Sequence, residues 1–367
     1  MRLRLARCCR ADPPSFRSAA AIARLFSPWY RTPLSESAAM KKLACRAVLL
    51  LLVAVCSPPA SATDVIRIGV LKFGTVNWEL DTLKRHGLDA RYGLDVEMVP
   101  FAGEDATNVA LRAGAVDMIV SDWLDVSRAR TAGDDLVFVP YSSSVGAVMV
   151  PDRSGIRTLA DLAGRKIGVV GGPLDKSWLL IQGLARREAG IDLASANDIV
   201  YGAPPLLAEK ALQGELDAVL TYWHYAARLE AEGFRRLVSA EDAMRALGAS
   251  GQVSALGYVF SEAWAGGHSR AVANFVRASR DAKALLDHSD AEWDRLHADG
   301  VIRDEGRALA VLRQRYREGI PDRAAADDEA DAGRLFAVLA ELGGERLVGP
   351  SPVMAPGTYW SGLTDDH

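Results

Sequence analysis

Four tryptophans in this chain stand just past short apolar runs, each beside groups that carry charge or hydrogen-bond. After VIRIGVL comes the segment from Lys72 to Trp78, with Glu79 next to it. After GAVDMIV come Ser121, Asp122 and Trp123. After KIGVVGG come Asp175, Lys176, Ser177 and Trp178, and after GELDAVL come Thr221, Tyr222, Trp223 and His224. An indole face attracts a cation, worth about 0.5–2 kcal/mol per contact. A neighbouring carboxylate accepts from N–H. Nitrate or a sulfonate would instead need donors such as Arg, hydroxyls or free helix N-termini. Lys72 and Lys176 offset only part of the acidity of Glu79, Asp122 and Asp175. The set therefore suits an organic amine, a quaternary ammonium compound or a nitrogen-rich ring. The candidate ligand-binding residues are Trp78, Asp122, Trp123, Asp175, Ser177, Trp178, Tyr222, Trp223 and His224. A tryptophan near a strand end also serves as packing. Trp78 and Trp178 lie just inside helices and could equally face a sheet.

Catalytic constellations are absent from the sequence. The six histidines show no HExxH or metal-ligand spacing, and no GxSxG occurs. His224 is the best single candidate for acid–base work, but a lone histidine at a rim more often binds or braces. No catalytic residue, metal or cofactor is expected.

The elements that would position these residues come in two similar series. VIRIGVL (65–71), LDVEMVPF (94–101) and GAVDMIVSDW (from Gly114) read as strands separated by helices, the first helix stopping at Gly87. LVFVPYS (136–142) and VGAVMV (145–150) add strands. From Thr158 the β-α-β-α-β order restarts. TLADLAG is a short helix with Asp161 in a capping position. KIGVVGG, DIVYG and GELDAVLTYW are strands, with helices over 173–190 and from Pro204. Such alternation predicts parallel sheets covered by helices. GAVDMIVSDW and GELDAVLTYW share Gly-x-Val/Leu-Asp and a terminal Trp at the same spacing. Asp117 and Asp217 are expected to hydrogen-bond at a turn or cap a helix. A strand follows at 254–264, then helices over 268–286, 291–318 and 333–342. PDRAAADDEAD (321–331) reads as an acidic surface stretch, and the tail LVGPSPVMAPGTYW as a wrap or docking strip.

The first 62 residues are of another kind. From Met40 a basic start, an apolar run and Ala60-Ser61-Ala62 follow the layout of a secretory signal peptide over 40–62, with cleavage after Ala62. Residues 1–39 are an extra leader or a false start. All four cysteines precede the cut, which suits an oxidising periplasm and leaves no thiol chemistry. The net charge of −4 and the lack of a basic block exclude nucleic acid as an expected partner.

HGLDARYGLDVEMVPF, ALRAGAVDM, TLADLAGRKIGVVGG and KALQGELDAVLTYW, in this order, resemble the solute-binding proteins of ABC importers. The branch is the nitrate/sulfonate/taurine/thiamine-precursor group, and the likeness covers about residues 64–290. It implies an α/β, type II periplasmic-binding-protein fold: two α/β lobes joined by two crossing segments around a central ligand cleft. Lobe one would be 64–146 plus 255–340, lobe two 147–254, and 341–367 a C-terminal tail. The crossings would fall near Ser144–Val148 and Gly251–Leu256. Ligands of open α/β sheets sit outside the carboxyl ends of the strands, so the four tryptophan-bearing ends would face one cleft. The resemblance further implies a small-molecule ligand, capture by lobe closure, and an ABC permease and ATPase in the inner membrane as partners of a periplasmic monomer. The alternative is a periplasmic accessory protein that docks on or supplies a partner enzyme. An enzyme on the same fold, like the pyrimidine-precursor synthases, would need a cysteine-rich motif that residues 63–367 lack.

Overall fold

The structure, a computed structural model, describes residues 63–362. The expected leader, the four cysteines and His367 lie outside the described residues. Ten strands are β1 (Asp64–Leu71), β2 (Leu94–Phe101), β3 (Met118–Ser121), β4 (Leu136–Ser142), β5 (Ala147–Pro151), β6 (Lys166–Val170), β7 (Asp198–Gly202), β8 (Ala218–Thr221), β9 (Phe234–Ser239) and β10 (Leu256–Ser261). Helices of nine or more residues are α1 (Val76–Arg85), α2 (Glu104–Arg112), α3 (Trp123–Thr131), α4 (Lys176–Ala189), α5 (Pro204–Leu212), α6 (Trp223–Ala231), α7 (Ser269–His288), α8 (Asp290–Ala298), α9 (Gly306–Glu318) and α10 (Ala325–Gly343).

Two five-stranded sheets form, in the orders β2-β1-β3-β10-β4 and β7-β6-β8-β5-β9. The alternating pattern predicts parallel pairing, and β2-β1-β3 and β7-β6-β8 are parallel. The sheets are nevertheless mixed. β10 runs antiparallel between β3 and β4, and β5 antiparallel between β8 and β9. Each of these two strands arrives straight from the other sheet, so it enters in the reverse direction. Each sheet with the helices packed on it is called a lobe below.

The repeated sequence has a repeated geometry. Ile68-Gly69-Val70 and Ile167-Gly168-Val169 are the centres of β1 and β6. A Cβ at Gly168 would stand 2.7 Å from Leu216 Cδ1, so a larger residue would force the covering leucine to shift. Asp117 accepts from the Arg67 N–H at 2.8 Å and from its guanidinium at 3.0 and 2.7 Å, while its own N–H donates to the Arg67 carbonyl. Asp217 accepts from the Lys166 N–H at 2.8 Å and donates to the Lys166 carbonyl. The repeated acids thus extend the ladder to a neighbouring strand instead of closing a local turn.

The two crossings run through residues 143–146 and 247–255, between the last elements of one sheet and the first of the other. Both are held by the segment that precedes and opens α10. Gly319 accepts from the Ser143 N–H at 2.9 Å. Asp328 accepts from the Ser254 N–H, and Asp331 from the Ser250 N–H and hydroxyl, each at 2.9 Å. Asp328 and Asp331 are buried. The acidic run read from the sequence as a surface stretch is therefore largely helical, and two of its acids are internal acceptors for backbone N–H groups. That use is what makes buried carboxylates tolerable.

The C-terminal helices tie both lobes. On α8, Glu292 accepts from Thr82 at 2.8 Å and meets His86 at 2.9 Å, and Arg295 donates to Asp81 at 2.8 Å, all on the α1 side. Beside α9, Asp304 takes a two-pronged bond from Arg228 of α6 at 2.7 and 2.8 Å. Arg315 makes the same kind of bond to Glu230 at 3.0 and 2.6 Å. The stretch between α8 and α9 is a third passage from the first lobe to the second. The tail then returns. Phe138 of β4 donates to the Thr358 carbonyl at 2.8 Å, and Trp360 donates to the Phe138 carbonyl at 2.9 Å. The tail thus adds a short parallel strand to the open edge of the first sheet, with Tyr359 on Phe138 at 5.0 Å and Trp360 on Phe260 at 5.4 Å. It wraps the lobe. An uncovered strand edge invites pairing with another chain. Truncation after Pro350 is expected to lower the melting temperature and to produce concentration-dependent association, read by light scattering after size exclusion.

Candidate functional site

The carboxyl ends of the parallel strands lead into helix starts, and those starts meet between the lobes. Asp122 caps α3, its Oδ1 accepting from the Asp125 N–H at 2.9 Å. Asp175 caps α4, accepting from the Trp178 N–H at 3.0 Å. Lys176, the first residue of α4, ion-pairs across the gap with Asp122 Oδ2. Glu104 opens α2 and Tyr222 precedes α6. The first lobe therefore contributes Glu104, Asp122 and Asp125, and the second Asp175, Lys176 and Tyr222.

The electrostatics are those of an acid-rich cleft. Burial, then Asp122, pushes the Glu104 carboxyl up. Asp122 first and burial second push Asp125 up to about 6. Burial raises Asp175, against the N–H bond from Trp178. Burial alone would lower Lys176, but Asp122 and Asp125 outweigh it and hold the ammonium charged. Tyr222 is raised by burial and by Asp175 and Glu104. Its side chain is nevertheless 42% exposed, an aromatic surface open at the cleft.

The four tryptophans take another place. Trp78 and Trp223 pack edge to face at 5.9 Å, one from each lobe, and both touch Tyr316 of α9, at 6.2 and 6.3 Å. Trp293 of α8 closes the group, 5.7 Å from Trp78. Trp123 packs on Phe336 of α10 at 6.5 Å, and Trp178 lies in the same apolar cluster. None of the four is more than 7% exposed. The structure thus joins them as two buried sets and presents no indole face to the cleft. Ser177 is half-buried at the start of α4. Glu79, expected on the wall, is fully buried in the first lobe instead. It accepts from Tyr258 at 2.8 Å and Ser279 at 2.5 Å and ion-pairs with Lys283. His224 keeps a sealed Nδ1 with no hydrogen-bond partner among the described residues. Burial and the nearby Arg228 take its pKa down to about 3, so the ring is neutral at pH 7 and a poor base.

Glu104, Asp125, Trp293 and Tyr316 were missed from the sequence. The strand-end rule, applied also to β2, leads from Phe101 to Glu104, and the first turn after Asp122 contains Asp125. Nothing local marks Trp293 or Tyr316, whose helices dock from far along the chain. A separate open cavity of about 550 Å3 lies by the second crossing, lined by Arg245, Gln252, Arg317, Glu318 and Arg323 among others. Three of its charged groups are already paired, Arg317 to Asp290 at 2.9 Å, Arg323 to Asp331 at 2.7 Å and Glu318 to Arg315 at 2.7 Å. Among the described residues no group of three or more His, Cys, Asp or Glu could hold a metal ion, and no helix is long and apolar enough to cross a membrane.

Two α/β lobes, each with an antiparallel strand delivered by a crossing segment, and helix starts meeting between them, are the architecture of the type II periplasmic binding proteins. A family model described as NMT1/THI5 like matches residues 84–290, more than half of the chain, and the chain belongs to that family. A putative aliphatic sulfonates-binding protein of Escherichia coli (strain K12) is 30% identical over 189 residues, 50% of this chain and 57% of that protein. The match thus spans little more than half the length of that curated relative. The crystal structure of a periplasmic aliphatic sulphonate binding protein from Escherichia coli superposes with a TM-score of 0.63 at 22% identity, over 82% of this chain and 98% of its own. A desulfurization enzyme shares the fold at a TM-score of 0.53 and 16% identity, over 80% of this chain and 97% of its own.

Two outcomes test this geometry. Trp78→Ala and Trp223→Ala should each cost about 3–5 kcal/mol. Their effects should be non-additive by at least about 0.5 kcal/mol in a double-mutant cycle, because the rings touch. Denaturant unfolding measures both. Asp125 has a folded pKa above its unfolded value, so its proton favours folding at low pH and that contribution is lost as pH rises through about 6. Asp125→Asn should therefore raise the melting temperature at pH 7.5 and leave it unchanged at pH 3.5, measured by calorimetry.

Proposed function

We propose that this protein is the solute-binding component of an ABC importer, acting in the periplasm as a monomer and delivering a small solute to a permease and its ATPase. The two lobes pivot at 143–146 and 247–255 and close on the solute. The observation that carries this reading is the meeting of helix starts from both lobes on one ionic cluster, sealed by the Lys176–Asp122 pair. A ligand there would touch both lobes, and only a ligand with better contacts in the closed state can drive closure. Family membership supports the same reading.

The solute we favour carries a cationic group, an amine or quaternary ammonium. Four carboxylates, on Glu104, Asp122, Asp125 and Asp175, gather around one ammonium, and the proximity of Asp122 is the leading reason that Asp125 is raised. Asp122 and Asp175 already occupy the starts of α3 and α4, which would otherwise be open to an anion. Tyr222 offers the open ring for cation–π contact. Trp78, Trp123, Trp178 and Trp223 support the site from behind. An aliphatic sulfonate is the second reading, favoured by the name of the curated relative. Catalysis is not part of this proposal: His224 is neutral and weakly basic, and the described residues hold no cysteine.

Thermal shift of residues 63–367 against choline, putrescine, pyrimidines, nitrate and ethanesulfonate tests the ligand class. Stabilisation at 100 times Kd is about 2.7 kcal/mol, or roughly 4 °C for a chain of this size. A shift of that size with a cationic compound is expected. A response confined to ethanesulfonate would replace the amine reading with the second one.

A further inference from the structure

Lys176 stands where the helix it begins would not choose a cation. It is the first residue of α4, at the positive end of the helix dipole, where acidic residues are favoured and basic ones are not. Its own lobe gives it only Asp175 nearby, a cap already engaged with the Trp178 N–H. The partner it does have is Asp122, on the facing lobe. The groups around its ammonium on that side are Asp122 and Asp125 of the α3 start and Glu104 of the α2 start, with Arg128 held on Asp125 at 3.3 Å. Lys176 keeps 39% of its side-chain surface, while Asp122 beneath it is buried, so solvent reaches the pair from the lysine side. The carboxylates of the first lobe thus meet a cation that the second lobe supplies.

We infer that Lys176 is a tethered stand-in for the solute's cationic group, closing the lobes on its own charge and yielding Asp122 to a ligand that displaces it. This rests on the cationic-solute reading above. An intramolecular competitor lowers apparent affinity by the fraction of time it occupies the site. It also selects. A solute must bring enough further contact, such as to the Tyr222 ring, to win against a partner present at high effective concentration. Lys176 then acts as a filter against small cations that offer charge alone.

The test compares wild type, Lys176→Met and Lys176→Arg, with choline as cationic probe and ethanesulfonate as anionic probe, by calorimetry and small-angle X-ray scattering. Methionine keeps the stem and removes the charge, and arginine keeps the charge. Choline should bind Lys176→Met at least tenfold tighter than wild type, with Lys176→Arg close to wild type. Without probe, Lys176→Met should have the larger radius of gyration, contracting when choline is added. Wild type that binds choline while Lys176→Met binds it equally or more weakly overturns the stand-in role and leaves the cationic reading standing. No choline binding by any form, with ethanesulfonate bound by wild type and lost in Lys176→Met, overturns both and makes Lys176 an anion contact.

Discussion

Parallel strands force their following helices to begin at one edge of the sheet. Here the edges of two such sheets are turned toward each other, so the N–H groups and positive dipole ends of α2, α3, α4 and α6 gather near one gap. Unsatisfied N–H groups there must be met by acceptors. At α3 and α4 the chain meets them with its own carboxylates, Asp122 and Asp175 as caps, and Glu104 adds a third acid in the first turn of α2. That choice decides the character of the cleft. A fold whose bare geometry favours anions becomes acidic, and the one ammonium held among those carboxylates is spent on a bond between lobes.

Much of this is legible in the sequence. Strand limits such as Leu94–Phe101, Leu136–Ser142 and Asp198–Gly202 follow from alternation bounded by turn residues, and the glycine stops after α1 and α4 from their positive φ at Gly87 and Gly190. The pairing of strand ends with acids placed Asp122, Asp175 and Tyr222 at the meeting of the lobes. The tryptophans were named as candidate ligand contacts because their neighbours are polar, with packing as the alternative, and all four are buried. What buries them comes from α8, α9 and α10, and Trp293, Tyr316 and Phe336 carry no local sign of that docking. Asp328 and Asp331 were misread for the same reason: an acid is internal only when a distant N–H needs it, and the N–H groups of Ser250 and Ser254 are remote in sequence.

The chain passes between lobes more often than the two crossings of the resemblance. Besides 143–146 and 247–255, the stretch between α8 and α9 and the return of the tail to β4 also connect them. Arg228 and Arg315 fasten α9 to α6, while Glu292 and Arg295 fasten α8 to α1. Any pivot of the lobes must therefore bend at the α8–α9 joint as well, where the Trp78–Trp223–Trp293–Tyr316 group sits. A small rotation that slides these rings is compatible with such packing, whereas a wide gape would part them.

The route of β10 bears on the order in which the molecule can assemble. The second sheet is written continuously from Ala147 to Ser239, and its strands can find one another as soon as they exist. The first sheet lacks its fourth strand in space until Leu256–Ser261 arrives, and its edge is not covered until Thr358–Trp360 has been reached. Contacts so distant along the chain close slowly, because loop entropy is lost before they form. The half-sheet of the first lobe thus stays open while the second lobe matures. An N-terminal half-sheet that needs Leu256–Ser261 and Thr358–Trp360 keeps its strand edges unpaired until those segments are made.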